Sequence, residues 1–142
     1  MKKITCPRGF FMMSSQCFKI FNDRKRNWSD AKTKCEEEGY MLAQPAEAVA
    51  VSLRKFVVET YGNCHTWIGA QGDGSKFVWN HEGQALKSNM AIWHPGHPGS
   101  NVGRDKCLLL LSYEDYFGRQ PAHPYYSVRC SVTHCTLCEV RS

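Results

Sequence analysis

Between Ala91 and Cys107 the chain reads AIWHPGHPGSNVGRDKC, with the tripeptide His-Pro-Gly twice in six residues. Three chemistries suit these residue types. The imidazole nitrogens of His94 and His97, with His123 as a third donor and Asp105 as an oxygen ligand, are the candidates for holding zinc or copper. Against that reading, Pro95 separates the two histidines, an HxxH pair on a loop fixes no shared face, and no partner for either ring is visible in the sequence. A second reading makes the two turns suppliers of backbone shape: Gly96 and Gly99 permit tight bends, and the histidines are solvent-exposed or bonded to backbone. The third is stacking without a metal. Trp93, Tyr125 and Tyr126 could pack on a sugar ring, or they could fill the core beneath the loop.

Such a loop needs elements to hold it. CPRGFFMMSSQCFKIF alternates apolar residues between two cysteines and predicts an amino-terminal hairpin, with Pro7 and Gly9 as turn formers at its entrance. Trp28, Ala31 and Cys35 recur at helical spacing, and Gly39 can supply a left-handed cap, which predicts a first helix near Trp28 to Glu38. A second helix is expected over Ala46 to Tyr61, with Val49, Leu53, Phe56 and Thr60 on one face, Pro45 near its start and Gly62 just past its end. HTWIGA and KFVWN, joined by QGDGS, predict a hairpin. CLLLL, YYSVRC and THCTLCEV predict three further strands.

The whole chain bounds what these elements can build. At 142 residues, with 42% hydrophobic and 12% aromatic content, it suits a single domain over 1–142 with a real core. No run approaches the length of a membrane span, and MKKITCPRGF has no apolar signal region. Eight cysteines without the paired CxxC knuckles of a structural zinc site imply disulfides and an oxidising, extracellular setting, so a secreted protein is expected. The net charge is +5, with one basic cluster, Asp23 to Arg26, read as a solvated turn or as a patch for anionic surfaces. Nucleic acid is not an expected partner, because the basic residues are scattered. Asn27 of the NWS triplet is both a glycosylation sequon and a candidate helix cap.

These segments resemble the long form of the C-type lectin-like domain from Cys6 to Glu139. CPRGFFMMSSQC resembles its amino-terminal hairpin, NWSDAKTKCEEEGYMLA its first helix, WIGA at Trp67 to Ala70 its core strand, and CSVTHCTLCE its closing cysteine pair. The resemblance implies an α+β fold with two helices, a loop-rich antiparallel sheet and a long ligand loop, Gly83 to Cys107. It also implies the pairs Cys6 with Cys17, Cys35 with Cys138, and Cys107 with Cys130. Cys64 and Cys135 remain, either as a fourth bridge or as two buried free thiols.

In sugar-binding members of that family, calcium sits in the long loop, held by a Glu-Pro-Asn type tripeptide, an acidic residue before the next cysteine, and a Trp-Asn-Asp tripeptide. Here His97-Pro98-Gly99 and Tyr125-Tyr126-Ser127 match those tripeptides, and Pro98 matches a proline that is cis in the sugar binders. Asp105 is the one retained carboxylate, with Lys106 beside it. Calcium takes six to eight oxygens, so the resemblance implies an absent or very weak calcium site and no other cofactor. Asp105, His94 and His97 are the weaker metal candidates.

Nothing in the sequence supports catalysis: no serine, histidine and acid order, no carboxylate pair in a shared motif and no phosphate loop stands out. The segment YGNCHTWIGAQGDGSKFVW most resembles short secreted lectins of invertebrate innate immunity. The implied function is recognition of microbial surface glycans, the alternative a calcium-independent protein binder of the same fold. The expected ligand face comprises Trp93, His97, Pro98, Gly99, Asn101, Arg104, Asp105, Tyr126 and Ser127. Weak monovalent affinity would call for multivalent display, for which a homo-oligomer is one route.

Overall fold

A computed structural model describes residues 5–113 and 123–140; the first four residues of MKKITCPRGF lie outside them. Strand β1 (Phe11–Met13) pairs with β2 (Gln16–Arg26) through a two-residue turn in which Ser14 and Ser15 both take positive φ, 46° and 71°. That left-handed pair gives the twist a tight hairpin needs, here without the usual Asn-Gly. Asn27 caps helix α1 (Trp28–Glu37), its Oδ1 accepting the Asp30 N–H at 2.8 Å, so the capping geometry is realised. The helix buries Trp28, Ala31 and Cys35, the face read from spacing, and ends one residue earlier than expected.

Strand β3 (Met41–Leu42) leads into α2 (Glu47–Tyr61), which also starts one residue later than read. Its buried face is Val49, Ala50, Leu53, Val57 and Val58; Phe56 is half-buried and Thr60 exposed. The i, i+4 row therefore sets the contact, in place of the i, i+3 step to Phe56. Strands β4 (Thr66–Gly72), β5 (Phe77–Trp79), β6 (Ala85–Leu86), β7 (Lys106–Leu110), β8 (Tyr125–Arg129) and β9 (His134–Glu139) follow. All nine described strands form one sheet, with β9 between β2 and β4, β4 also paired to β7, and β8 on the outer side of β7.

Two cores flank the sheet. One packs Leu53 and Val57 of α2 with Ile68, Phe77, Trp93, Leu108 and Tyr125; the other packs α1 with Trp67, Leu109 and Leu111. The indoles are bonded as well as buried, Trp67 Nε1 donating to the Arg26 carbonyl at 2.8 Å and Trp28 Nε1 to Ile68 at 2.9 Å. Trp79 is only partly buried against the first core. All four disulfides are present, including Cys64–Cys135 with Cα atoms 6.0 Å apart, alongside Cys6–Cys17, Cys35–Cys138 and Cys107–Cys130. The open choice at Cys64 and Cys135 is thus resolved as a bridge.

The Asp23 to Arg26 cluster departs from the expected solvated turn. It is the end of β2, and Arg26 is buried, its guanidinium clasping both carboxylate oxygens of Asp23 at 3.0 and 3.1 Å. The Arg26 hydrogen bond holds the Asp23 carboxyl below the usual carboxylate range. The Trp67 indole donates to the Arg26 carbonyl beneath this corner, and the ion pair with Asp23 offsets the desolvation of the buried guanidinium. Asp23, Arg24 and Lys25 face solvent, so Arg24 and Lys25 are the cations of the cluster left exposed.

Candidate functional site

The long loop is tied to the sheet along the outer edge of β8. In an antiparallel edge strand every second N–H points away from its one neighbour and needs another acceptor. Tyr125 N–H donates to Ile92 O at 3.2 Å, and His94 N–H returns to Tyr125 O at 2.8 Å. Two residues on, Ser127 N–H donates to His97 Nδ1 at 3.2 Å. The loop thus supplies backbone groups first and then a side chain.

His97 is the centre of the arrangement. Because a backbone N–H can only donate, Nδ1 must accept, which fixes the neutral ring with its proton on Nε2. The Ser127 hydroxyl lies 2.9 Å from the same nitrogen and 3.0 Å from the Pro98 carbonyl, so its single proton serves one of these two acceptors. The His97–Pro98 peptide bond is cis. Tyr126 stacks on the His97 ring at 3.8 Å between centroids, and His94 packs 5.6 Å from Tyr126. Burial pushes the His97 imidazole pKa down, with His94 and Lys106 adding to the effect.

Other expected site residues divide by burial. Trp93 is 5% exposed, its Nε1 donating to Lys87 O and its ring set edgewise to Phe77 and Tyr125; it positions the loop and has no face left for a ligand to stack on. Tyr125 is likewise core. Gly99, Asn101, Arg104 and Asp105 are exposed on the descending limb, where Asn101 Oδ1 accepts the Gly103 N–H and the Arg104 carbonyl accepts from Gln71 Nε2 at 2.7 Å. This limb lies directly on β4. A Cβ added to Gly72 would stand 2.2 Å from Val102 O and 2.3 Å from Gly103 O.

The metal candidates do not converge. His123 Nδ1 is hydrogen-bonded to Ala91 O, and His97 Nδ1 is committed to Ser127. Among the described residues, no three His, Cys, Asp or Glu side chains come together as a metal cluster. For calcium, Asp105 brings one carboxylate, and the Ser127 oxygen is already held by His97 and Pro98. That donor set falls short of the six to eight oxygens calcium takes.

Strand register also sets Lys106 opposite Arg129 across β7 and β8, a pairing of residues 23 apart in the chain. A signal existed in the chain: each cysteine of the Cys107–Cys130 pair is preceded by a cation.

The Lectin C-type domain model matches residues 24–140, which include both helices, the long loop and the closing strands. The chain belongs to the C-type lectin domain family. C-type lectin lectoxin-Lio3 of Erythrolamprus poecilogyrus is 24% identical over 140 residues, which cover 96% of this lectin domain's chain and 82% of the relative. The SPL-1–GlcNAc complex shares the fold with a TM-score of 0.75 at 20% identity, covering 95% of this chain and 94% of that one. The Ca2+-independent C-type lectin SPL-2 from Saxidomus purpuratus gives a TM-score of 0.73 at 20% identity, with 95% and 93% covered. The family indicated is a lectin family and not a catalytic one, and no helix among the described residues is long and apolar enough to cross a membrane.

Proposed function

We propose that this chain is a secreted carbohydrate-recognition lectin that binds microbial surface glycans through its long-loop face without a bridging calcium. The observation that carries the reading is the His97–Ser127 clasp. In calcium-dependent relatives, as the resemblance describes them, one cation joins the two tripeptides at these positions; here an imidazole and a hydroxyl join them directly. That contact supports a loop held by the chain's own groups, and the half-buried His97 and Tyr126 rings and the exposed Asn101 and Arg104 lie on the same loop face. Hydrogen bonding from these groups, with the His97–Tyr126 pair as an apolar platform, would carry recognition.

Two relatives support parts of this. SPL-1 was solved with GlcNAc, and SPL-2 is described as Ca2+-independent. Four disulfides suit an oxidising, extracellular setting. The microbial assignment rests on the resemblance of Tyr61 to Trp79 to short humoral lectins. A single shallow site gives weak affinity, so agglutination requires several copies.

A glycan array run with calcium and with chelator tests the reading. Glycan binding that survives chelator and falls at least tenfold in His97→Ala and Tyr126→Ala supports it. Binding lost in chelator overturns the calcium-free mechanism, and a blank array alongside capture of a protein partner replaces the lectin reading with a protein-binding one.

A further inference from the structure

We propose that Lys106 and Arg129 form a subsite for an anionic group on the bound glycan, a carboxylate or a sulfate. The inference rests on the proposed function above and names the ligand chemistry of the same face. Lys106 and Arg129 are register partners on β7 and β8, and the flanking Cys130 N–H to Asp105 O bond of 2.8 Å makes theirs a non-hydrogen-bonded pair. In such pairs Cα atoms approach to about 4.5 Å and side chains lie closest. Like charges placed directly opposite one another destabilise a sheet. Here nothing in the described structure offsets them, since neither residue makes a salt bridge, and neither do Arg104 or Asp105 nearby.

Their place along the strands ties the pair to the candidate site. Side chains alternate with period two, so the row Leu110–Tyr125 is followed on the same face by Leu108–Ser127 and then by Lys106–Arg129, each step about 7 Å along the strand. The first row is core, the second carries the His97 clasp, and the third stands at the open end. The edge N–H groups follow the same series. Those of Tyr125 and Ser127 are taken by Ile92 O and His97 Nδ1, while that of exposed Arg129 has no acceptor among the described residues.

An anion seated beyond His97 would meet an ammonium, a planar guanidinium and a free backbone N–H. These groups recognise a carboxylate or sulfate through charge-assisted, partly bidentate bonds. Of the neighbouring residues in the chain, Arg104 and Asp105 carry opposite charges and His97 is neutral, so the subsite is net cationic even with Asp105 ionised. By contrast, the Asp23 to Arg26 cluster has lost Arg26 to Asp23.

The test is binding to polymers displaying N-acetylglucosamine, N-acetylglucosamine 6-sulfate or glucuronic acid. The wild-type chain should bind the sulfated or carboxylated probe at least tenfold more tightly than its neutral counterpart, and the two charged probes separate sulfate from carboxylate as the source. Lys106→Gln with Arg129→Gln should bring that probe to the neutral level while leaving neutral binding unchanged, with a Tm at or above that of wild type. Arg24→Gln with Lys25→Gln should leave the preference intact. If the double variant fails to fold, the wild-type preference must vanish in about 1 M salt, where the Debye length is near 3 Å. The proposal is overturned if wild type binds charged and neutral probes alike, or if the Arg24 and Lys25 variant removes the preference. In both cases the lectin reading stands. Binding to no glycan at all overturns that reading and this one with it.

Discussion

His97 Nδ1 and the Ser127 hydroxyl lie 2.9 Å apart, and the Ser127 N–H points at the same nitrogen from 3.2 Å. Two contacts at one imidazole atom, both from Ser127 buried in the strand edge, make the loop's position a property of the folded chain. A calcium site would have to compete with that bond for Ser127 and would gain only Asp105 as an anion.

Calcium is therefore expected to leave stability unchanged. A ligand that binds only the native state stabilises it by RT ln(1 + [L]/Kd), so an intact site would raise Tm visibly at millimolar calcium. Thermal melts with calcium and with chelator should coincide. An upward shift that Asp105→Ala abolishes would show that the loop does hold the ion.

Gly72 is a second test of how the loop is held. With Val102 O only 2.2 Å from a would-be Cβ, Gly72→Ala must push the descending limb off β4, because backbone carbonyls cannot rotate away. Overpacking of this kind costs about 1–3 kcal/mol. Tm should fall accordingly, and glycan binding should fall with it since Arg104 rides on the same limb; a neutral Gly72→Ala would mean that the limb is not seated as described.

Replacing both Cys64 and Cys135 by alanine removes a link spanning 71 residues. The chain-entropy model gives about 4 kcal/mol for loops of this size, less where another bridge already shortens the path, as Cys35–Cys138 does here. Chemical denaturation should show a loss of roughly 3–4 kcal/mol with the fold retained. Unchanged stability would remove this bridge from the framework.

Stability should also fall in acid through His134. Burial first, then His65 and Lys25, depress its pKa from 6.5 to about 4, and its ring lies 5.7 Å from that of His65, which burial also lowers. Below 6.5 the unfolded chain binds protons that the folded chain refuses, so stability is full above 6.5 and declines as pH falls toward 4. Tm measured from pH 7.5 to 4 should drop, and His134→Gln should flatten that slope. An equal slope in the variant would assign acid sensitivity to other groups.

Much of the scaffold was legible in the chain because its signals are local. The Trp28, Ala31 and Cys35 spacing named the buried face of α1, and the segments around WIGA and the closing cysteines named the fold. Local reading failed where one element's environment is made by another. Thr60 has the spacing to face inward on α2, yet the sheet beneath is met by Val57 and Leu53. Arg26 looked solvated until Trp67 donated to its carbonyl and its guanidinium turned to Asp23.

The candidate site divides along the same line. Residue types alone showed that the long loop carries too few carboxylates for the chemistry of calcium-dependent relatives, since ligand count needs no coordinates. Only the tertiary structure paired His97 with Ser127 across 30 residues, buried Trp93, and set Lys106 opposite Arg129. Hydrogen-bond partners and strand register depend on which chain segments meet. In this domain long-range pairing decides that, and it turned a pair of His-Pro-Gly turns into a clasp.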